Sequence, residues 1–381
     1  MSAERVGMPC CGSRKRSVGR HGSDDYYDSF VNLMRSILFL PPLPRITESD
    51  DELNDAVKPR ADTLLPDVKA DSDWRPSIEW EPFSGAELDT LVRINIWADG
   101  RDGTPEFRKM PRDLLCQFVR GFAYRPDGAR AAFAYLVESL AWRAKQAATD
   151  GQILRGINEK LLPRRSLFER FVQVGPIGID GEGHPVIMER FCCFEPSEVL
   201  DHFSSEQFLA HCTYNKECQR AYSLRNAQRC GRRTYKVVTV IDLEGLSLAH
   251  TDTRFLEVAK KVNASHANAY PETAYKIIVV NAPGFFGVVF SLVSSFMHPL
   301  TVSKFDILGS DYEQKLAGPP YNIRMNSGGT ALPPIDDPPS WSATASELAR
   351  EWGGINAETL SRGGDWPHED AESLKRRGIS L

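Results

Sequence analysis

The sequence predicts an α/β protein with a mainly parallel sheet and helices packed on it, preceded by a small all-helical module. Two observations carry this expectation. From about residue 84 apolar residues recur at helical spacing with no strand signal among them, and after Pro163 short apolar runs alternate with helical stripes. Strands that alternate with helices imply crossover connections, which make neighbouring strands parallel.

The helical module is expected over residues 84–162. Leu88, Leu91, Val92 and Ile96 form its first stripe, Leu114, Leu115, Phe118 and Val119 its second, and Ala132, Phe133, Leu136, Leu140 and Ala141 its third. Gly100, Gly103, Pro105 and Pro111 separate the first two, and Pro126 and Asp127 open the third. Over residues 163–330, Leu167–Val174, Pro185–Phe191, Tyr235–Asp242, Tyr275–Asn281 and Lys304–Leu308 read as strands. Ile277–Val280 is continuously apolar, as expected of a strand covered on both faces. Between strands, Ser204 and Gln207 have the spacing of a capping box, and Phe255, Val258, Ala259 and Val262 make one apolar stripe.

The ends read differently. Within residues 1–83, the first 29 are rich in Ser, Gly and Arg, and residues 41–76 in Pro and acid, so neither stretch is expected to bury a core. Between them residues 30–40 form a short amphipathic segment, with Phe30, Leu33, Met34, Ile37 and Leu38 on one face, able to dock on this chain, a partner or a membrane surface. Cys10 and Cys11 stand beside basic residues, which suits either acylation or two reduced thiols in a tail. Residues 331–381 read as a C-terminal tail with one helical candidate, Ser346–Trp352.

Several function classes are disfavoured. With 46 basic and 51 acidic side chains the net charge is -5, so the global cationic field that nucleic acid demands is missing and no nucleic acid is expected as a partner. The apolar stretch Gly284–Met297 is shorter than a bilayer span and is interrupted by Ser291, Ser294 and Ser295, while Met1–Arg20 lacks the apolar run of a secretory signal. A cytoplasmic location is expected. No Cys-x-x-Cys pair occurs among the eight cysteines, and His202, His211, Cys212 and Cys218 match no common ligand spacing, so no metal is expected. The glycine-rich phosphate loops, the Gly-x-Ser-x-Gly elbow and the His-Glu-x-x-His motif do not occur, and no catalytic residue is expected.

Three features remain. Asp242-Leu243-Glu244-Gly245 closes an apolar strand, where a turn or a ligand contact would suit it equally. Tyr270-Pro271-Glu272 stops a helix and sets one carboxylate just before the next strand. Asn281-Ala282-Pro283-Gly284 leads into Phe285, Phe286, Val288, Val289, Phe290, Leu292, Val293, Phe296 and Met297, a helix apolar nearly all round that suits a buried core or a lid. Thr301 and Lys304 follow, a hydroxyl and a cation that could hold a phosphate or pair with a carboxylate such as Glu272.

Tyr235–Gly245, Tyr270-Pro271-Glu272, Ile277–Phe286 and Pro299–Gly309 occur in the order and at the intervals of the CRAL-TRIO lipid-binding family, and resemble most its phosphatidylinositol/phosphatidylcholine transfer branch as found in yeast. Leu114–Arg143, with Phe118, Arg120 and Trp142-Arg143, resembles the family's preceding helical module, Asp180–Val186 its turn before an early strand, and Gly328-Gly329 its end. The resemblance covers roughly residues 110 to 330. It implies the CRAL-TRIO fold, in which the sheet floors an apolar lipid cavity and the helix after Asn281-Ala282-Pro283 acts as a gate at the membrane.

It also implies a carrier with no cofactor, whose expected ligand is one bound phospholipid, phosphatidylinositol above all, and whose partners are that lipid and, transiently, a membrane surface. In the phosphatidylinositol-binding members the positions matching Thr301 and Lys304 contact the headgroup phosphate, and the one matching Glu272 belongs to the same cluster. Asp242 and Thr239 are assigned to the polar end of the site with them, and Phe285, Phe286, Val289, Phe290, Val293 and Phe296 to the gate and cavity. The branch's choline pocket has a Ser-x-Thr pair and tyrosines; here Val237 replaces the serine, Thr239 remains, and Pro176 and Ile187 stand where tyrosines would lie. Without the aromatic cage a choline cation has no partner, so little phosphatidylcholine exchange is expected. A basic residue after Arg120 is not kept, with Phe122, Ala123 and Tyr124 in its stretch and Arg125 the remaining substitute. Within the family the alternatives are a sterol, tocopherol or retinoid carrier, in which Lys304 pairs with Glu272, and a lipid-regulated signalling or trafficking scaffold that recruits a protein partner through residues 30–40.

Overall fold

A computed structural model describes residues 83–100, 112–125, 127–146, 162–190, 195–230, 234–247, 250, 252–294, 299–309 and 311–352. The amphipathic segment 30–40, Cys10, Cys11 and Phe296 lie outside the described residues.

Three helices come first: α1 (Gly85–Gly100), α2 (Arg112–Phe122) and α3 (Gly128–Gln146). Ser84 and Glu87 begin α1 as a capping box, the Ser84 N–H donating to Glu87 Oε2 at 2.6 Å and the Glu87 N–H to Ser84 Oγ at 3.3 Å. Leu91, Ile94, Leu115, Phe118, Val119, Ala132, Phe133 and Leu136 interlock as their shared core. Each of the larger side chains among them contributes about 1.5–3 kcal/mol by leaving water. The module is tied to the rest by a buried bidentate pair, Arg220 donating to Asp113 at 2.6 and 2.9 Å.

The remaining elements run α4 (Arg165–Phe171), β1 (Gln173–Ile179), β2 (Pro185–Arg190), α5 (Pro196–His202), α6 (Ser205–Cys230), β3 (Val237–Asp242), α7 (Thr253–Ala269), β4 (Ala274–Val280), α8 (Phe286–Ser294), α9 (Pro299–Val302), β5 (Phe305–Ile307), α10 (Tyr312–Ala317), β6 (Arg324–Met325) and α11 (Trp341–Trp352). One sheet takes the order β5-β4-β3-β2-β1-β6. β2 to β5 are mutually parallel, and β1 is antiparallel to both β2 and β6. The capping box at Ser204 and Gln207 forms as expected, with reciprocal bonds of 3.0 and 3.2 Å.

Two expectations are corrected. Leu167–Val174 is not a strand: Leu167, Phe168 and Phe171 have helical spacing, Arg165 bridges to Glu169 at 2.9 Å, and the helix runs to Phe171. The strand is Gln173–Ile179, disguised by Gly175, Pro176 and Gly178. Those glycines permit close approach, since a Cβ on Gly175 would lie 2.9 Å from the Pro339 carbonyl carbon and one on Gly178 would collide with the Arg324 carbonyl. Second, the last helix starts at Trp341 rather than Ser346, and it is packed rather than loose. Trp341, Ala345 and Leu348, spaced as one helical stripe, are buried in the core with α4, α5 and α6.

Alternation along the strands sorts the two faces. Ile187, Val237, Ile241, Ile277 and Val279 point toward α6, α7 and α8, whereas Val186, Met188, Val238, Val240, Ile278 and Val280 meet Leu316, Ile323 and Met325.

Candidate functional site

In a parallel sheet all strands enter at one edge, so residues just before β3, β4 and β5 share that edge even though they are far apart in sequence. Helix α7 ends at Ala269, and the turn through Pro271 puts Glu272 at φ 50 two residues ahead of β4. Lys304 follows α9, its N–H bonded to the Thr301 carbonyl at 3.1 Å, and its own carbonyl accepts from Ile277 of β4 at 2.8 Å. That backbone link delivers the Lys304 ammonium onto both Glu272 oxygens, at 2.7 and 3.0 Å. Lys236, immediately before β3, reaches the same carboxylate from the other side, with Nζ 3.5 Å from Oε2. Glu272 is therefore bracketed by two lysines, all three side chains being at most 22% exposed.

Sequence reasoning missed Lys236. The signal was present, because Lys236 stands before β3 as Lys304 stands before β5. The half-buried Thr301 lies beside this cluster through its carbonyl contact with Lys304. Thr239 sits mid-strand, opposite Ile187 and Ile277, buried on the face toward α6, α7 and α8. Asp242 does not join the cluster. It ends β3, five residues on from Val237, which at ~3.3 Å per residue is about 16 Å away. There it accepts from Arg190 Nε at 2.7 Å, Asn281 Nδ2 at 2.8 Å and the Glu244 N–H at 3.0 Å, which gives it the framework role of a turn residue.

The helical module abuts this edge. A Cβ on Gly121 would stand 3.2 Å from Pro271 Cβ and 3.6 Å from Glu272 Cγ, so α2 rests directly on the Glu272 turn. Two of the module's arginines are engaged in structure: Arg120 donates to the Tyr235 hydroxyl and pairs with Glu87 at 3.3 Å, and Arg125 stacks over the Phe122 ring at 4.7 Å.

Helix α8 lies on the same face as Thr239. Phe286 is buried against Ile241, Ile277, Val279 and Phe305, while Phe290 stacks on Phe286 at 6.1 Å and tilts over Phe305 at 5.2 Å. Phe285, one residue earlier, is 41% exposed. Val289 and Val293 belong to α8, their side chains lying outside the description.

A second polar group on this face was not anticipated. Glu189 of β2 is buried, with Lys216 Nζ of α6 3.8 Å away, and its Oε2 meets no hydrogen-bond partner among the described residues. Burial pushes its carboxyl up to about 7, against the pull of Lys216. Nearby, burial lowers His266 to about 3, and its Nε2 contacts Thr213 Oγ1 at 3.2 Å. The sequence cluster around His211 is also structural: His211 stacks on Phe168 at 4.4 Å, and burial raises the Cys212 and Cys218 thiols to about 12. Among the described residues no group of three His, Cys, Asp or Glu is placed to hold a metal, and no helix is long and apolar enough to cross a membrane.

These features define an α/β protein whose mainly parallel sheet is walled on one face by an apolar helix and carries a lysine-carboxylate cluster where β3, β4 and β5 enter it. Residues 172–318 match the family model of the CRAL/TRIO domain. It is 28% identical over 150 residues to the phosphatidylinositol/phosphatidylcholine transfer protein SFH4 of Arabidopsis thaliana, covering 39% of this chain and 24% of that protein. It is 32% identical over 155 residues to the SEC14 cytosolic factor of Yarrowia lipolytica, covering 39% and 31%, and 30% identical over 156 residues to that of Kluyveromyces lactis, covering 39% and 50%. The chain thus spans a quarter to a half of the length of these relatives. Among solved structures, the crystal structure of Sfh5 aligns over 81% of this chain and all of that chain at 14% identity, with a TM-score of 0.40.

Proposed function

We propose that this chain is a non-enzymatic lipid carrier that holds one phospholipid, phosphatidylinositol foremost, between α8 and the sheet face bearing Thr239, and that it transfers or presents the lipid between membranes. The observation that carries the reading is a juxtaposition: an apolar helix, anchored by the buried Phe286 and preceded by the exposed Phe285, lies over the sheet, and Lys304, Glu272 and Thr301 stand at the edge of the same sheet. The CRAL/TRIO match and relatives named as phosphatidylinositol/phosphatidylcholine transfer proteins support it.

The energetics suit a cavity. Bringing a two-chain lipid into water exposes about 30 methylenes at roughly 0.8 kcal/mol each, a cost in the low twenties of kcal/mol that only a deep apolar site offsets. At the polar end, a desolvated phosphate needs a cation, and Lys304 supplies one. The choline end is poorly served: Ile187 and Val237 are buried aliphatic residues, so transfer of phosphatidylcholine is expected to be weak. In the cell such a carrier is cytoplasmic and peripheral to membranes.

One observation favours a second reading. Lys304 already pairs with Glu272, as a carrier of a phosphate-free ligand of sterol, tocopherol or retinoid type would have it. Mass spectrometry of lipid copurifying with the full chain separates the two. Stoichiometric phosphatidylinositol, lost from a folded Lys304→Ala variant, is the expected result; a phosphate-free ligand, or binding unchanged by Lys304→Ala, removes the headgroup assignment.

A further inference from the structure

We infer that Lys236 is a specificity-determining residue of this site, the second cation that makes it select an anionic headgroup. The inference rests on the headgroup reading above and adds a residue to it. Lys304 and Glu272 alone form a neutral pair, and an anion approaching a neutral pair must displace the carboxylate and then lie beside it. Lys236 changes this balance. The three side chains sum to one positive charge, which matches the single negative charge of a phosphodiester.

The backbone holds the arrangement in place. The three residues lead into β3, β4 and β5, which are consecutive in the sheet, with the carboxylate on the central strand and a lysine on either side. The Val237 N–H bonds the Thr273 carbonyl at 2.9 Å, and the Ile277 N–H bonds the Lys304 carbonyl at 2.8 Å, so both lysines are stitched to the strand that Glu272 precedes. When a phosphate takes Lys304, Lys236 at 3.5 Å still neutralises Glu272, and the carboxylate is never left facing the phosphate unpaired. Lysine suits this exchange, since its ammonium is a point charge on a flexible stem that swings from carboxylate to phosphate.

The test uses the full chain and vesicles of phosphatidylcholine carrying labelled phosphatidylinositol, with diacylglycerol as the uncharged control. Lys236→Gln is expected to lower phosphatidylinositol capture at least about tenfold, as Lys304→Gln does, with diacylglycerol capture unchanged. Lys236→Arg, which keeps the charge, is expected to stay within about threefold of the parent chain. The deciding variant is Lys236→Gln with Glu272→Gln, which restores one net positive charge and is expected to recover most of the capture; a merely structural role for Lys236 gives no such recovery. If Lys304→Gln loses capture while Lys236→Gln stays within twofold, or if the double variant fails to recover, the inference is overturned and the headgroup reading stands. If neither lysine matters, the headgroup reading itself falls.

Discussion

Arg190 on β2 donates Nε to Asp242 on β3 at 2.7 Å, with both side chains buried and the two residues paired in register. Arg190 also donates to Gln173 of β1 at 2.9 Å and to the Pro333 carbonyl at 3.1 Å, so one guanidinium ties three strands and the segment before α11. Asp242 is therefore framework, at the opposite strand end from Lys304. Asp242→Ala leaves an uncompensated buried guanidinium and is expected to cost about 3–5 kcal/mol in urea unfolding. Asp242→Asn keeps an acceptor and is expected to preserve the class of lipid bound. Loss of phosphatidylinositol alone in a stable Asp242→Asn variant would return this residue to the headgroup site.

Neighbouring phenylalanines at the start of α8 separate packing from surface contact. Phe286→Ala is expected to destabilise by about 3–5 kcal/mol, because its ring is buried among Ile241, Val279 and Phe305. Phe285→Ser, at a more exposed position, is expected to cost less stability than Phe286→Ala yet to reduce flotation with lipid vesicles. Unchanged flotation would take Phe285 out of the membrane contact.

Glu189 makes stability depend on pH. Its folded carboxyl titrates near 7 against an ordinary 4.5, so the folded state holds its proton more tightly than the unfolded one. The resulting stabilisation is full below about pH 4.5 and is lost as pH rises through 7. Glu189→Gln removes the dependence. The variant's stability relative to the parent is expected to rise by about 2–3 kcal/mol between pH 4.5 and pH 8, followed by denaturant midpoints. A gap that does not widen would mean that Lys216 holds Glu189 ionised throughout.

The last helix belongs to the fold. Trp341 is fully buried and meets the Tyr222 ring edge-on at 6.1 Å, while Glu169 accepts from the Ser342 N–H at 3.0 Å and from Ser340 Oγ at 2.9 Å. Trp341→Ala is expected to cost about 3–5 kcal/mol, and a chain ended at residue 340 to lose at least as much. A thermal midpoint unmoved by that truncation would make α11 dispensable.

What the sequence made legible follows the strength of the local signal. β3 and Ile277–Val280 of β4 are buried on both faces and read directly as apolar runs; the Ser204 capping box and the helix stop at Tyr270 were equally plain. β1 was hidden because Gly175, Pro176 and Gly178 answer to the approach of Pro339 and Arg324, partners roughly 150 residues away that no local pattern reveals. The second half of α11, Ser346–Trp352, was legible, but its first turn was obscured by the prolines before it and its docking on α4, α5 and α6 is a tertiary relation. In the site, Glu272, Thr301 and Lys304 stand together, but Asp242 was placed with them by proximity to a motif although strand direction carries it to the far end. Lys236 was overlooked because its role arises from alignment of three strand entrances, a tertiary relation.

α11 packs against β1 and α6, and α4 lies over the same side, so the antiparallel flank of the sheet is bolted down. The other flank is lighter: β5 has three residues, and α8 is held over it by a small cluster centred on Phe286. The molecule thus divides its stability unevenly, with a fastened hinge side and a door side. A door hung this way can swing without unseating its frame, so backbone amides of α8 and β5 should exchange with solvent far sooner than those of β1 to β3.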